Sequence, residues 1–86
     1  MKKINIFSSL ICPYCVAAKK ILTNEGFNFN EIIIDDKPDL REEMIKRTNG
    51  KYTVPQIFFG DKLIGGFDQL SLLQKKGSIK NLVEKL

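Results

Sequence analysis

Lys3-Ile4-Asn5-Ile6-Phe7-Ser8-Ser9-Leu10-Ile11-Cys12-Pro13-Tyr14-Cys15-Val16-Ala17-Ala18 decides how this 86-residue chain folds. Lys3 to Phe7 alternates and is β-branched or aromatic, which reads as a strand. From Pro13 to about Thr23 the apolar residues Val16, Ala17, Ala18, Ile21 and Leu22 recur at helical spacing. Pro13 suits a first helical turn, where its missing N–H is no loss. Asn24-Glu25-Gly26 reads as the helix end, with Gly26 free to take the left-handed cap. The only two cysteines sit where strand gives way to helix. A thiol at a helix start ionises more easily than one in water, and the thiolate is the reactive form. A second thiol three residues on shares the face of the first turn and can attack any disulfide that the first one makes.

Working outward, Phe27 to Ile34 reads as a second strand, and its Ile32-Ile33-Ile34 run suggests burial on both faces. Asp35-Asp36-Lys37-Pro38-Asp39 combines capping residues with a proline, a helix-start pattern. That helix runs to about Thr48 with Leu40, Met44 and Ile45 inward, and Asn49-Gly50 ends it. Thr53-Val54-Pro55 leads into a strand from Gln56 to Phe59. Gly60-Asp61 suits a two-residue hairpin, with glycine first as a type II′ turn requires. Lys62 to Ile64 returns. Gly65-Gly66 follows, then Asp68 as N-cap of a helix carrying Leu70, Leu72 and Leu73. Gly77-Ser78 breaks it, and Ser78 to Leu86 forms a short last helix with Ile79, Leu82 and Val83 packed.

This order predicts an α/β fold: a four-stranded mixed sheet flanked by helices, βαβαββα plus a short C-terminal helix. The first βαβ unit should be parallel with a right-handed crossover. The cysteines then stand at the carboxyl end of the first strand, where open α/β sheets gather their ligand sites.

The length suits one domain, 1–86, which should bury roughly 60–65% of its unfolded surface. An apolar fraction of 43% argues for a folded globule rather than disorder. Met1-Lys2-Lys3 and the short apolar run after it resemble an export signal, but Asn5, Ser8 and Ser9 interrupt the run. No stretch approaches membrane-spanning length, so no membrane role is expected. The expected compartment is the cytoplasm, where a cysteine pair is more often catalytic than structural. The net charge of +4 comes from 14 basic and 10 acidic residues, and the basic ones are scattered as doublets on helix faces. Nucleic-acid binding would call for a denser basic patch with stacking aromatics. The excess fits an anionic small ligand or acidic proteins.

Paired cysteines at this spacing also form half of a zinc site. Structural zinc takes four Cys or His ligands as a rule, and this chain has two cysteines and no histidine. No metal is therefore expected without a second chain or carboxylate ligands. A structural disulfide would close too small a loop to contribute much in the chain-entropy model. Inert buried thiols are the plain alternative to redox chemistry.

Cys12-Pro13-Tyr14-Cys15, Thr53-Val54-Pro55 and Gly65-Gly66-Phe67-Asp68, in this order of elements, together resemble the dithiol glutaredoxins on a thioredoxin fold. The likeness covers essentially the whole chain. The stretches Arg41 to Arg47 and Thr53 to Phe58 look most like small bacterial members. The resemblance implies a glutathione-dependent thiol–disulfide oxidoreductase with Cys12 as nucleophile and Cys15 as resolving thiol. It makes glutathione the co-substrate, with Tyr14 in contact with it. It makes Pro55 cis and facing the cysteines, with the Val54 backbone open to an extended substrate as an added strand. Thr53 would support that loop. Gly66, Phe67 and Asp68 would hold the γ-glutamyl end of glutathione, whose carboxylate suits a helix start. Arg41 would meet the glycine carboxylate. Each role has a plainer counterpart: a surface ring for Tyr14, a strand-entry residue for Thr53, an N-cap for Asp68, an exposed ion-pair partner for Arg41.

One departure stands out. Many relatives carry lysine three residues before the first cysteine, and this chain has Ser9. Arg41 or Lys51 is left to take the glycine carboxylate. The resemblance also implies disulfide-bonded or glutathionylated protein partners, such as ribonucleotide reductase, and a monomer. Two alternatives remain: an electron donor recycled by thioredoxin reductase, and an iron–sulfur carrier using Cys12 and glutathione. The Pro13-Tyr14 spacer and the Gly66–Asp68 site argue against the first, and relatives of the second kind favour a single cysteine followed by small residues.

Overall fold

The computed structural model describes residues 3–77 and 79–81. Its elements run β1 (Ile4–Ser8), α1 (Pro13–Asn24), β2 (Asn30–Ile33), α2 (Pro38–Arg47), β3 (Gln56–Phe59), β4 (Lys62–Gly65) and α3 (Phe67–Lys76). The strands form one sheet in the order β2-β1-β3-β4. β1 pairs parallel with β2 and antiparallel with β3, and β3 pairs antiparallel with β4. This is the mixed four-stranded sheet that the hydrophobic pattern predicts. Gly60 takes φ 63 at the β3–β4 turn, the conformation that puts glycine first.

Side chains alternate across β1 and β3, so the two central strands feed both layers. On one face Ile4, Ile6, Ile57 and Phe59 pack with Ala18 and Leu22 of α1, Leu70 of α3 and Ile79. On the other, Phe7 and Phe58 pack with Ile34 and Met44. Phe7 and Phe58 meet edge-on at 6.0 Å between ring centroids. The Arg47 guanidinium lies over the Phe58 ring at 4.4 Å and roofs this smaller layer.

The strand buried on both faces is β3, whose four residues are all buried, rather than β2. β2 is an edge strand, with Asn30 and Glu31 exposed and Ile32 and Ile33 half-buried. It also starts later than Phe27. The Phe27 N–H donates to Leu22 O at 3.0 Å, so its backbone closes the end of α1 instead of joining the sheet. The capping residues before α2 do not cap. Lys37 precedes Pro38 without a side-chain hydrogen bond, and the Asp35 carboxylate turns back toward the β1–α1 loop. Leu72 faces solvent at 54% exposure, because the buried stripe of α3 runs through Leu70 and Leu73. Of the expected last helix, residues 79–81 are helical, and Leu82 and Val83 lie outside the described residues.

Candidate active site

Cys12 is the N-cap of α1, in extended conformation, and Pro13 takes the first helical position. The Cys15 N–H donates to Cys12 Sγ at 3.2 Å. A sulfur thus occupies the place that a serine or aspartate oxygen fills at ordinary helix starts. Cys12 is partly exposed and Cys15 is fully buried, and both are free thiols. Burial pushes the Cys15 thiol up to about 11, and its hydrogen bond with the Cys12 side chain adds to the shift. Lys19 does not reach the cysteines' end of the helix as a free cation. Its Nζ pairs with Glu31 Oε2 at 2.7 Å.

The loop before β3 comes up against Cys12. The Val54–Pro55 peptide bond is cis. The Cys12 Sγ lies 3.8 Å from Val54 O, as donor to it. Gln56 Nε2 donates to Thr53 O at 3.0 Å and fixes the approach to this turn. Beside it opens a cavity of about 530 Å³, walled by Tyr14, Lys51, the Thr53–Pro55 turn and the Gly65–Asp68 segment. This is within the size range of small-molecule sites. Tyr14 and Phe67 face each other across its rim with ring centroids 5.5 Å apart.

The far wall is the start of α3. Gly66 is its N-cap and Asp68 lies in the first turn, which corrects the expected capping role of Asp68. Gln69 Oε1 accepts from the Gly66 N–H at 2.9 Å, so glutamine supplies the cap bond from inside the helix. Gly66 itself packs close to the cis turn. A Cβ there would stand 3.3 Å from Pro55 O. Gly65 has φ 121 and sits in a β-bulge, where Ile57 pairs with Gly65 while Phe58 pairs with Leu63.

Of the residues singled out in the sequence, Tyr14, Thr53, Val54, Pro55, Gly66, Phe67 and Asp68 line this one cavity, with Cys12 at its edge against Val54. Arg41 does not line it. It lies near Asp35 and helps hold that carboxyl below its ordinary range, behind the larger effects of Ser9 and the Leu10 N–H. Lys51 is the cation in the wall. Three contributors escaped the pattern. Gln56 and Gln69 look like ordinary polar positions until the turn and the bulge are folded. Asp35 resembled a helix cap. The one available signal was a glutamine opening an otherwise apolar strand. Among the described residues, no three Cys, Asp or Glu side chains converge as metal ligands would. No described helix is long and apolar enough to cross a membrane.

The glutaredoxin family model matches residues 4–64. The chain is 43% identical to glutaredoxin 3 of Escherichia coli over 84 residues, 98% of this chain and 100% of that protein. Its fold superposes on the solution structure of a Brucella melitensis glutaredoxin with a TM-score of 0.84 at 40% identity, over 96% of this chain and 89% of the other. It is also similar to the buckwheat glutaredoxin–glutathione complex, with a TM-score of 0.85 at 26% identity, over 98% of this chain and 78% of that one.

Proposed function

Since the chain belongs to the glutaredoxin family, we propose that it reduces protein disulfides and glutathione mixed disulfides at the expense of glutathione, as a single domain. The observation that carries this reading is the Cys15 N–H bond to Cys12 Sγ at the edge of the cavity. In the first step the Cys12 thiolate attacks a substrate disulfide. A mixed disulfide forms at Cys12 and a thiolate leaves. With a glutathionylated protein, the protein thiol leaves and glutathione stays on Cys12. A second glutathione, or Cys15, then displaces it. Rates follow the thiolate fraction of the attacking sulfur and the acidity of the leaving one.

In this reading three features of the cavity hold glutathione. The Val54 backbone pairs with its cysteinyl segment. The first turn of α3, with Phe67 and Asp68, takes the γ-glutamyl end: backbone N–H groups meet the carboxylate, and the Asp68 side chain meets the amino group. Lys51, rather than Arg41, takes the glycine carboxylate, because it stands in the wall. The Tyr14–Phe67 pair covers the reacting sulfur's side of the ligand. The reading places the protein in the cytosol, where a cysteine pair stays reduced between turnovers.

A coupled assay tests it. Reduced protein is supplied with a glutathionylated substrate, glutathione and glutathione reductase, in parallel with thioredoxin reductase. Turnover with the glutathione system is expected. Turnover with thioredoxin reductase alone would replace this function with the electron-donor alternative.

A further inference from the structure

The stripe of β1 that faces α1 runs Ile4, Ile6, Ser8. Its first two members pack against Ala18 and Leu22 of α1. Cys15, Ala18 and Leu22 form the buried stripe of that helix. Ser8 and Cys15 therefore end the two facing stripes, at the active-site end of the layer. Every other buried residue of β1 is apolar, and Ser8 is fully buried too. Its backbone oxygen is used, accepting from the Ile34 N–H at 3.0 Å. Its hydroxyl oxygen is the only buried side-chain oxygen or nitrogen without a hydrogen bond among the described residues. The hydroxyl makes no hydrogen bond in this structure, and the side chain acts on the Cys15 thiol in the direction of its charged form. A hydroxyl hydrogen rotates to suit its acceptor, so the unpaired Ser8 hydroxyl is free to turn toward the Cys15 sulfur.

We propose that Ser8 donates a hydrogen bond to Cys15 as that thiol ionises, and so sets the rate at which Cys15 displaces glutathione from Cys12. The inference rests on the dithiol reading above. In this step Cys15 gives up its proton and its sulfur attacks Cys12 Sγ. The bond between Cys12 and glutathione breaks, and the Cys12–Cys15 disulfide forms. Glutathione leaves with the electron pair and takes up one proton, so no further oxidant or reductant is needed. Ser8 is a positioning residue, not the base. The Ser9 backbone also favours the Cys15 thiolate, and the one titratable group acting on Cys15 is Cys12, on its own helix. No described charged side chain of β1, β3 or α3 is among the groups that act on it.

The test mixes reduced full-length protein with excess glutathione disulfide, quenches with acid, and follows by mass the conversion of the protein–glutathione adduct to the intramolecular disulfide. Ser8→Ala should slow this conversion about tenfold and move its pH midpoint up by about one unit, since one unit of pKa is a tenfold change in thiolate. Ser8→Thr should restore both. Conversion by Ser8→Ala at the parental rate and pH midpoint would overturn the proposal alone. An equal loss on adding Ser8→Ala to Cys15→Ser, read as glutathione-only deglutathionylation, would overturn it in favour of a structural role. If the parent protein never converts its adduct, the dithiol reading falls and takes this inference with it.

Discussion

The Ser9 hydroxyl donates to Asp35 Oδ1 at 2.7 Å, and the next residue's N–H, that of Leu10, donates to Oδ2 of the same carboxylate at 2.9 Å. One aspartate after β2 thereby holds the loop that delivers Cys12. At Ser9 a lysine would have brought charge to the site. Serine brings a tether to Asp35 instead, and the cation lining the cavity is Lys51.

The tether has a pH signature. The two hydrogen bonds hold the Asp35 carboxyl below its ordinary value of 3.8. A carboxyl lowered in the folded state binds fewer protons than in the unfolded state, so its contribution is full above the unfolded value. That contribution is lost as pH falls from about 3.8 through the lowered native value. Asp35→Asn should flatten this part of the stability curve and leave stability at lower pH unchanged. Urea midpoints of the two proteins across pH 2 to 6 check it. Parallel curves over the whole range would remove Asp35 from this role.

The two cysteines should separate in kinetics. Cys12→Ser should abolish turnover of both disulfide and glutathionylated substrates. Cys15→Ser should keep glutathione-dependent deglutathionylation and lose reduction of protein disulfides. Steady-state rates on a glutathionylated peptide and on a disulfide-bonded protein measure the split. Complete loss of deglutathionylation in Cys15→Ser would rule out the glutathione-only branch.

Lys51 and Arg41 should also separate. Lys51→Ala is expected to raise KM for glutathione about fivefold, the size of a ~1 kcal/mol exposed charge contact. Arg41→Ala should change it less than twofold. Initial rates over a glutathione series decide between them, and the reverse order would move the glycine carboxylate to the α2 side.

Gly65→Ala should destabilise the fold by about 1–3 kcal/mol, because φ 121 is a conformation that side chains rarely adopt. Its new Cβ would also meet Gln69 Oε1 at 2.9 Å, the atom that accepts from the Gly66 N–H. The start of α3 and the cavity wall should loosen together. Chemical unfolding gives the cost, and glutathione KM reports the wall. An unchanged urea midpoint would show that the bulge tolerates a side chain.

Local signals carried most of the architecture. Gln56 to Phe59 and the Pro13 start of α1 match the sequence reading to the residue, because periodicity and proline chemistry act within a few positions. What the sequence hid depends on partners far along the chain. Phe27 reads as strand until its N–H is committed to Leu22. Asp35 reads as a cap until Ser9 and Leu10, 26 and 25 residues away, claim its two oxygens. Asp68 reads as a cap until the bulge at Gly65 brings Gln69 over Gly66. Most of the cavity's walls were legible as motifs. That Lys51 lines the cavity and Arg41 does not was not legible, because it depends on how α2 and the loop after it pack.

Cys15 exposes none of its surface, whereas Cys12 is partly open. A peroxide or an alkylating agent arriving from solvent therefore meets only one of the two cysteine thiols. The first oxidation product there, a sulfenic acid, stands one helical turn from a thiol that the oxidant could not reach. On the proposed function it would condense with that thiol to the disulfide, a form open to reduction by glutathione, ahead of the second oxygen that makes such damage permanent. Hiding one cysteine preserves the other.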